Sequence, residues 1–334
     1  GTNIVSSSAQ LATDISGSFD SGFEFTGTIG TRIGVWSAGG SINTARHYIT
    51  GVGLQNAGLV FGGYNNCTCT EHYNGTAWSL GGAMTIGNFS SAGAGTEYAA
   101  LSAGGRDAGV TTTQEYYGQT WAGGGALNTQ RGYVAGLGLQ NAALNIGGNN
   151  PSSTLVTCTE HYDGSSWSVG GALSTTAYTL GMSGTQNAAL AAGGNLHGAP
   201  TSNDNTCVEV YNGVNWSSAT SLTTGRMGGA PVAGTQNSSY AAGGHANPTF
   251  TGVTEEYDGS TWSKSGDMIV ARGYFKSAGN TSKGIVAGGC NPSTVTCTEL
   301  YSGGIFHGTL SAWSAGGALI TAADYHGATG TQNA

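Results

Sequence analysis

The chain repeats a short phrase built around tryptophan. Residues 67–78 read CTCTEHYNGTAW, and residues 157–167 read TCTEHYDGSSW. Alignment on this phrase places all seven tryptophans of the chain at one repeat position: Trp36, Trp78, Trp121, Trp167, Trp216, Trp262 and Trp313. Copies at a fixed interval indicate a repeat architecture, in which each copy is one supersecondary unit that needs its neighbours to bury its core.

A second phrase, small apolar residues followed by a pair of glycines, recurs between the tryptophans. Its six copies end at Gly63, Gly105, Gly148, Gly194, Gly244 and Gly289. The interval of roughly 42 to 50 residues is the range in which each repeat forms one four-stranded blade of a β-propeller. The two phrases together therefore predict a propeller.

The residues of one period divide into four short strands. Between Thr129 and Trp167, the stretches RGYVAGLGL and LVTCTEHY alternate at the period of two that is typical of strands. The pair Asp163-Gly164 predicts a tight hairpin turn before the tryptophan strand. Helical spacing of apolar residues is absent from the period, so an all-β fold is predicted.

We therefore expect an all-β, seven-bladed β-propeller of four-stranded antiparallel blades, closed by pairing of N- and C-terminal strands. Residues 1–18 are interpreted as a linker or closing-strand segment, and residues 19–334 as the propeller. The expected blades span 41–82, 83–125, 126–171, 172–220, 221–266 and 267–317, with a closing blade from 19–40 plus 318–334.

The charge and the apolar runs of the chain limit the classes of partner, and the cysteine spacing limits the possible disulfides. Only 8% of the residues are charged, the net charge is −8, and the nine Lys and Arg form no basic stripe, so no nucleic-acid partner is expected. The chain contains no apolar run long enough for membrane insertion. Cys67 and Cys69 lie two apart on an expected strand, which predicts poor geometry for a bridge, whereas a bridge between Cys290 and Cys297 stays open.

Further repeated residues carry a resemblance to a known family. The Gly pair, the later Tyr, the Trp five positions after it, and Arg46, Arg131, Arg226 and Arg272 resemble a degenerate kelch repeat, which implies a seven-bladed propeller. The phrases GTQNAALAAGG, TEEYDGSTW and VSSSAQLATDISGSF resemble the kelch-like repeats and linkers of structural and tail-fibre proteins of marine bacteriophages. The resemblance implies a virion or extracellular location.

Three functions follow from this resemblance and from the fold. The first is a non-enzymatic virion appendage of the tail-fibre or decoration type, which binds a host-surface glycan or another virion protein. The second is a secreted bacterial adhesin or surface-filament module. A glycan-active enzyme ranks below both, because no nucleophile elbow, zinc-protease motif, P-loop or distinctive carboxylate pair is present. No catalytic residue, metal or cofactor is expected, and a homo-oligomer stays open.

Residues that recur at a fixed repeat position are expected to be structural, because repetition reports packing. This applies to the Arg and to the Glu of the TEHY-type strand, which are interpreted as a structural pair. It also applies to His72 and His161, which are expected on the strand surface.

Recognition is expected where the repeats differ, in the loops that follow the Gly pairs. The longest of these loops runs from Asn195 to Asn205, and shortening residues 196–204 is expected to weaken attachment without unfolding the propeller. The residues of these loops able to stack on or hydrogen-bond a ligand are Tyr64, Arg106, Asp107, His197, Asp204, His245 and Phe250.

Overall fold

The computed structural model of the chain describes residues 34–105, 111–152, 154–196, 205–228, 232–246 and 249–303. These residues form 28 short strands and no helix. Because no helix occurs in the described part of the chain, none of it has the helical length and apolar character of a membrane span.

The strands form six four-stranded antiparallel sheets within the described residues. The first strand within the described residues is β1 (Val35–Gly39). Blade 1 contains β2 (Thr50–Leu54), β3 (Ala57–Phe61), β4 (Thr70–Tyr73) and β5 (Trp78–Leu80). Blade 2 contains β6 (Ala92–Gly95), β7 (Ala99–Ala103), β8 (Thr113–Tyr117) and β9 (Trp121–Gly123). Blade 3 contains β10 (Ala135–Leu139), β11 (Ala142–Ile146), β12 (Thr159–Tyr162) and β13 (Trp167–Val169).

The remaining blades follow the same plan, and two of them carry an extra hairpin. Blade 4 contains β14 (Gly181–Thr185), β15 (Ala188–Ala192), β16 (Val208–Tyr211) and β17 (Trp216–Ala219). Blade 5 contains β18 (Val232–Thr235), β19 (Ser238–Ala242), the hairpin β20 (His245–Ala246) and β21 (Thr249–Phe250), then β22 (Thr254–Tyr257) and β23 (Trp262–Lys264). Blade 6 contains β24 (Lys276–Gly279), β25 (Lys283–Ala287), the hairpin β26 (Cys290–Asn291) and β27 (Ser293–Thr294), then β28 (Thr298–Ser302).

The first strands of the six blades close into a ring. Contacts join β2 to β6, β6 to β10, β10 to β14, β14 to β18, β18 to β24, and β24 back to β2. The described residues therefore form a six-bladed propeller, and the expectation of seven blades was wrong. The four-stranded antiparallel blades were predicted correctly.

The count differs because the Trp36 phrase supplies the fourth strand of blade 6, a strand that the sequence analysis took from the Trp313 phrase. Strand β1 pairs antiparallel with β28, with Trp36 opposite Tyr301, and so becomes the outermost strand of blade 6. The sequence assigned that place to the Trp313 phrase and placed Trp36 in a separate closing blade. The Trp313 phrase and residues 318–334 lie outside the described residues.

Each tryptophan strand is attached to the preceding blade. The indole Nε1 of Trp167 in blade 3 donates to Oγ1 of Thr113 in blade 2 at 2.9 Å. Trp36, Trp78, Trp121 and Trp216 bond a threonine of the preceding blade in the same way. Tyr162 and Trp167 are 1% and 6% exposed, so both are buried.

The recurring Arg and Glu form buried ion pairs within blades, as the sequence analysis predicted. Arg46 binds Glu71 at 2.8 Å, Arg226 binds Glu255 at 2.6 Å, and the same pairing joins Arg131 to Glu160 and Arg272 to Glu299. The Arg also donates to backbone carbonyls beside the Gly pair, such as Gly62 O. These residues hold the strands of a blade together.

The expectation that His72 and His161 lie on the strand surface was wrong. His72 is 8% exposed because it fills the contact between blades 1 and 2, where Nδ1 lies 3.1 Å from Glu97 Oε1 and Nε2 lies 2.7 Å from Tyr116 Oη. His161 is half-buried, and its Nε2 lies 2.8 Å from the hydroxyl of Tyr211 in blade 4.

The Gly pairs turn the chain at one face of the propeller. Gly147 and Gly148 follow β11 with φ values of 62° and 91°, a conformation that residues with a Cβ rarely adopt. Because the strands alternate in direction, the loops after the Gly pairs and the connections between blades lie on this face. We call it the loop face.

Candidate functional site: an aromatic mouth on the loop face

Every blade enters its innermost strand through one residue in the left-handed backbone conformation. The six residues have φ values between 52° and 71°, and five of them carry side chains. Non-glycine residues seldom adopt this conformation, and such residues cluster at functional sites. The six are Tyr48, Ser90, Tyr133, Thr179, Gly228 and Tyr274.

Backbone hydrogen bonds hold these six residues around the channel. In several cases the amide of one left-handed residue donates to the carbonyl of its counterpart in the preceding blade, and the strain is thereby compensated. The bonds join Tyr48 N to Tyr274 O at 2.8 Å, Ser90 N to Tyr48 O at 3.0 Å, Thr179 N to Tyr133 O at 3.0 Å and Tyr274 N to Gly228 O at 2.9 Å.

Aromatic side chains form one continuous network around this end of the channel, which we call the aromatic mouth. Neighbouring ring centroids lie between 4.7 and 6.3 Å apart, the range in which aromatic pairs attract one another. The aromatic mouth consists of His47, Tyr48, Tyr64, Phe89, Tyr133, Tyr178, His245, Phe250 and Tyr274.

Tyr64 is the most accessible ring of the aromatic mouth. It is 49% exposed, whereas Phe89 is buried and the other seven are half-buried. The ring of Tyr64 stacks on His47 with a centroid distance of 5.0 Å and an interplanar angle of 27°. One face of Tyr64 is thereby held by the protein.

Three of the seven predicted site residues lie in the aromatic mouth. The ring of Tyr64 packs against His47 and Phe89. The ring centroid of Phe250 lies 5.2 Å from that of His245 and 6.0 Å from that of Tyr274. The other four predicted residues, Arg106, Asp107, His197 and Asp204, lie outside the described residues, and so does most of the 196–204 segment.

The sequence analysis missed the tyrosines nearest the channel. Tyr48, Tyr133 and Tyr274 each stand two residues after a repeated Arg, in the phrases RHY, RGY and RGY. The phrase is a readable signal, because the buried Arg fixes the chain just before it enters the innermost strand. Its meaning depends on the closed ring, which brings the three tyrosines together.

Burial in the aromatic mouth favours the neutral forms of its tyrosines and of His47. Burial raises the pKa of Tyr48, Tyr178 and Tyr274, so their hydroxyls stay protonated at neutral pH. Burial also lowers the pKa of His47. The described residues that line the mouth cavity include one lysine, Lys276, and no carboxylate, so the site offers stacking surfaces, hydroxyl hydrogen bonds and one ammonium group.

Below the mouth, the central channel is narrow. A cavity of about 40 Å³ lies on the axis, and residues from all six blades line it. Glycines line it in blades 1 to 4, and the larger side chains of Met182, Val232 and Lys276 line it in blades 4 to 6. The lining residues are Thr50, Gly51, Gly93, Gly136, Gly181, Met182, Val232, Lys276 and Ser277.

The cysteines differ in part from the sequence prediction. Cys67 and Cys69 are joined in a disulfide, so the prediction of poor geometry for this bridge was wrong. That prediction placed both residues on a strand, whereas both precede β4. Their Cα atoms lie 5.4 Å apart. Cys290 and Cys297 are free thiols. The described residues contain no group of His, Cys, Asp and Glu that could hold a metal ion.

Comparison with known proteins supports the fold. No protein-family model and no curated protein matches the sequence. Among solved structures, one titled "Structure of YjhT" is similar, with a TM-score of 0.65 and 13% sequence identity over 77% of this chain and 95% of that chain. At that identity the likeness shows the β-propeller fold alone, and neither a kelch-repeat family nor a phage relationship is shown.

Proposed function

We propose that the protein is a non-enzymatic binding domain of a virion appendage, of the tail-fibre or decoration type. It attaches through the aromatic mouth to a host-surface glycan or to an adjoining virion protein. The observation that carries the proposal is the accessible Tyr64 ring, held against His47 at the edge of a continuous aromatic network. Rigid aromatic faces are suited to stacking on sugar rings or on an apolar partner surface.

The composition of the site agrees with binding rather than catalysis. The described residues that line the mouth cavity include hydroxyls, aromatic rings and one lysine, but no acid that could act with a base in glycoside hydrolysis. A secreted adhesin or surface-filament module with the same binding face is the second candidate. The virion location itself rests on the resemblance of repeat phrases, and mass spectrometry of purified virions separates the two.

A matched pair of tyrosine variants tests the binding face. Tyr64 lies on the loop face, whereas Tyr98, which is 61% exposed, lies in the turn between β6 and β7 at the opposite face. We expect Tyr64→Ala to weaken binding to whole host cells or to a glycan array by tenfold or more, on the order of 1–3 kcal/mol for a lost stacking contact. Tyr98→Ala serves as the control.

The two variants also define the outcome that contradicts the proposal. Both should keep the native circular dichroism spectrum, since each side chain is largely exposed. If Tyr98→Ala weakens binding and Tyr64→Ala does not, the partner occupies the opposite face and the assignment of the aromatic mouth is wrong.

A further inference from the structure

The central channel contains a charged side chain for which the described residues supply no ion-pair partner. Lys276 begins β24, the innermost strand of blade 6, and lines both the cavity under the aromatic mouth and the axial cavity below it. No Asp or Glu is among the described residues that line either cavity. The four buried Arg, by contrast, each bind a Glu.

The neighbouring blade leaves room for this lysine. A Cβ atom at Gly51 would lie 3.5 Å from Lys276 Cβ, an ordinary contact, so the lysine stem passes over Gly51 without a clash. At the equivalent glycines of the next two blades, the preceding inner strand approaches too closely to admit a Cβ atom. A Cβ at Gly93 would lie 2.3 Å from Thr50 Cγ2, and one at Gly136 would lie 2.5 Å from Ala92 Cβ.

We propose that the central channel holds a binding site for a small carboxylate, with the ammonium group of Lys276 as its charge partner. An unpaired charge in a narrow channel is costly, and an anion that binds there removes much of the cost. The axial cavity of about 40 Å³ admits a ligand of only a few heavy atoms. Ser277 also lines it and carries a hydroxyl donor, whereas the hydroxyl of Thr50, on the same cavity, already bonds Ser91.

The inner strands add further donors to the channel. Each is the edge strand of its sheet, so part of its backbone N–H and C=O groups point towards the axis and lack a strand partner. Such N–H groups bind anions together with a nearby cation. A formate ion or the carboxylate of a larger ligand would meet both.

The electrostatics of Lys276 agree with an unmatched cation. Burial alone lowers the pKa of its ammonium group to about 8, with no opposing effect from a carboxylate. A bound carboxylate would raise this pKa. The groups that face the lysine from the mouth, Tyr48 and Tyr274, and Cys290 beside them, all have raised pKa values because of burial, so Lys276 is the group expected to titrate between pH 7 and 9.

Nuclear magnetic resonance tests the site directly, because the chain has only three lysines, Lys264, Lys276 and Lys283. Protein labelled at lysine is titrated with sodium formate. We expect a saturable shift of the Lys276 signal, a rise in its titration midpoint, and an affinity that falls on the order of tenfold between pH 7 and pH 9 as the ammonium group deprotonates. The exposed Lys283 should show neither effect.

Variants and a second ligand complete the test. Lys276→Met should abolish saturable formate binding, while Lys283→Met should retain it, and the pH dependence of the parent protein decides the matter if Lys276→Met fails to fold. Glucuronate compared with neutral glucose distinguishes a carboxylate carried on a sugar from a free small anion. Absence of a saturable Lys276 shift with both carboxylates would overturn the proposal. Because formate binding does not depend on Tyr64, its outcome is separate from that of the attachment assay.

Discussion

The indole Nε1 of Trp167 donates a 2.9 Å hydrogen bond to Oγ1 of Thr113, which begins the third strand of the preceding blade. The bond joins an outermost strand to the interior of its neighbour, and the indole ring also packs on Tyr162 at a centroid distance of 4.8 Å. Contacts between successive blades therefore depend on the same residue that marks the sequence repeat.

Removal of this indole should strongly destabilise the fold. We expect Trp167→Ala to lower the free energy of unfolding by about 3–5 kcal/mol, because a large buried aromatic side chain is replaced by a cavity. Trp167→Phe keeps most of the buried area and loses the hydrogen bond, so it should cost markedly less. Guanidinium denaturation measures both, and a loss below about 1 kcal/mol for the alanine variant would contradict the assigned burial.

The blade was predictable from sequence because its strands and turns are local. Alternation in LVTCTEHY and the Asp163-Gly164 turn lie within a few residues of one another, and the turn forms as expected, with Asp163 Oδ1 accepting from the amides of Ser165 and Ser166 at 2.8 Å. The number of blades was not predictable in this way. It depends on which distant strand pairs with β28, and the Trp36 and Trp313 phrases are both WSAGG.

The candidate site was predictable only in part for a related reason. Tyr64, His245 and Phe250 stand out because the loops after the Gly pairs vary, whereas Tyr48, Tyr133 and Tyr274 repeat and therefore resemble packing residues. The three tyrosines come together through ring closure, which joins blade 6 to blade 1. The ring centroids of Tyr274 and Tyr48 lie 4.7 Å apart as a result.

The buried ion pairs predict unequal effects for equivalent glutamates. Glu160 accepts from Arg131, Asn128 and Thr129, so Glu160→Gln leaves a buried guanidinium without a counter-charge. We expect a loss of about 3–5 kcal/mol in unfolding free energy. Ala177 stands where blade 4 would have its Arg, and Glu209 accepts from the amides of Ser174 and Thr175.

Glu209→Gln should therefore be milder than Glu160→Gln by about 2 kcal/mol, since no buried cation loses its partner. Blade 2 shows that glutamine can occupy this position. Gln114 accepts from Ile86 N at 3.1 Å and donates to Ile86 O at 2.9 Å, beside Asn88 in place of the Arg. Urea denaturation of the two variants measures the difference, and equal losses would show that the Arg contributes nothing specific.

The close approach of the inner strands predicts a contrast between two glycines at one repeat position. An added Cβ at Gly136 would lie 2.5 Å from Ala92 Cβ and 2.9 Å from Ala92 Cα, so the backbone must shift. We expect Gly136→Ala to cost about 1–3 kcal/mol through overpacking. Gly51→Ala, whose new Cβ would meet Lys276 Cβ at 3.5 Å, should change stability by less than about 0.5 kcal/mol. Thermal unfolding that ranks the two in the reverse order would contradict this account of the channel.

The closure of blade 6 predicts which tryptophan phrase the propeller requires. Every strand of the six four-stranded sheets lies between Val35 and Ser302, so removal of residues 304–334 should leave the fold intact and change the free energy of unfolding by less than about 1 kcal/mol. Removal of residues 1–40 takes away β1 and exposes the edge of β28 along with Tyr301, which should cause unfolding or aggregation. Circular dichroism and size-exclusion chromatography of the two truncated proteins compare these effects. If the protein without residues 304–334 unfolds while the protein without β1 stays folded and monomeric, then the Trp313 phrase supplies the outermost strand of blade 6 and the assignment of Trp36 is wrong.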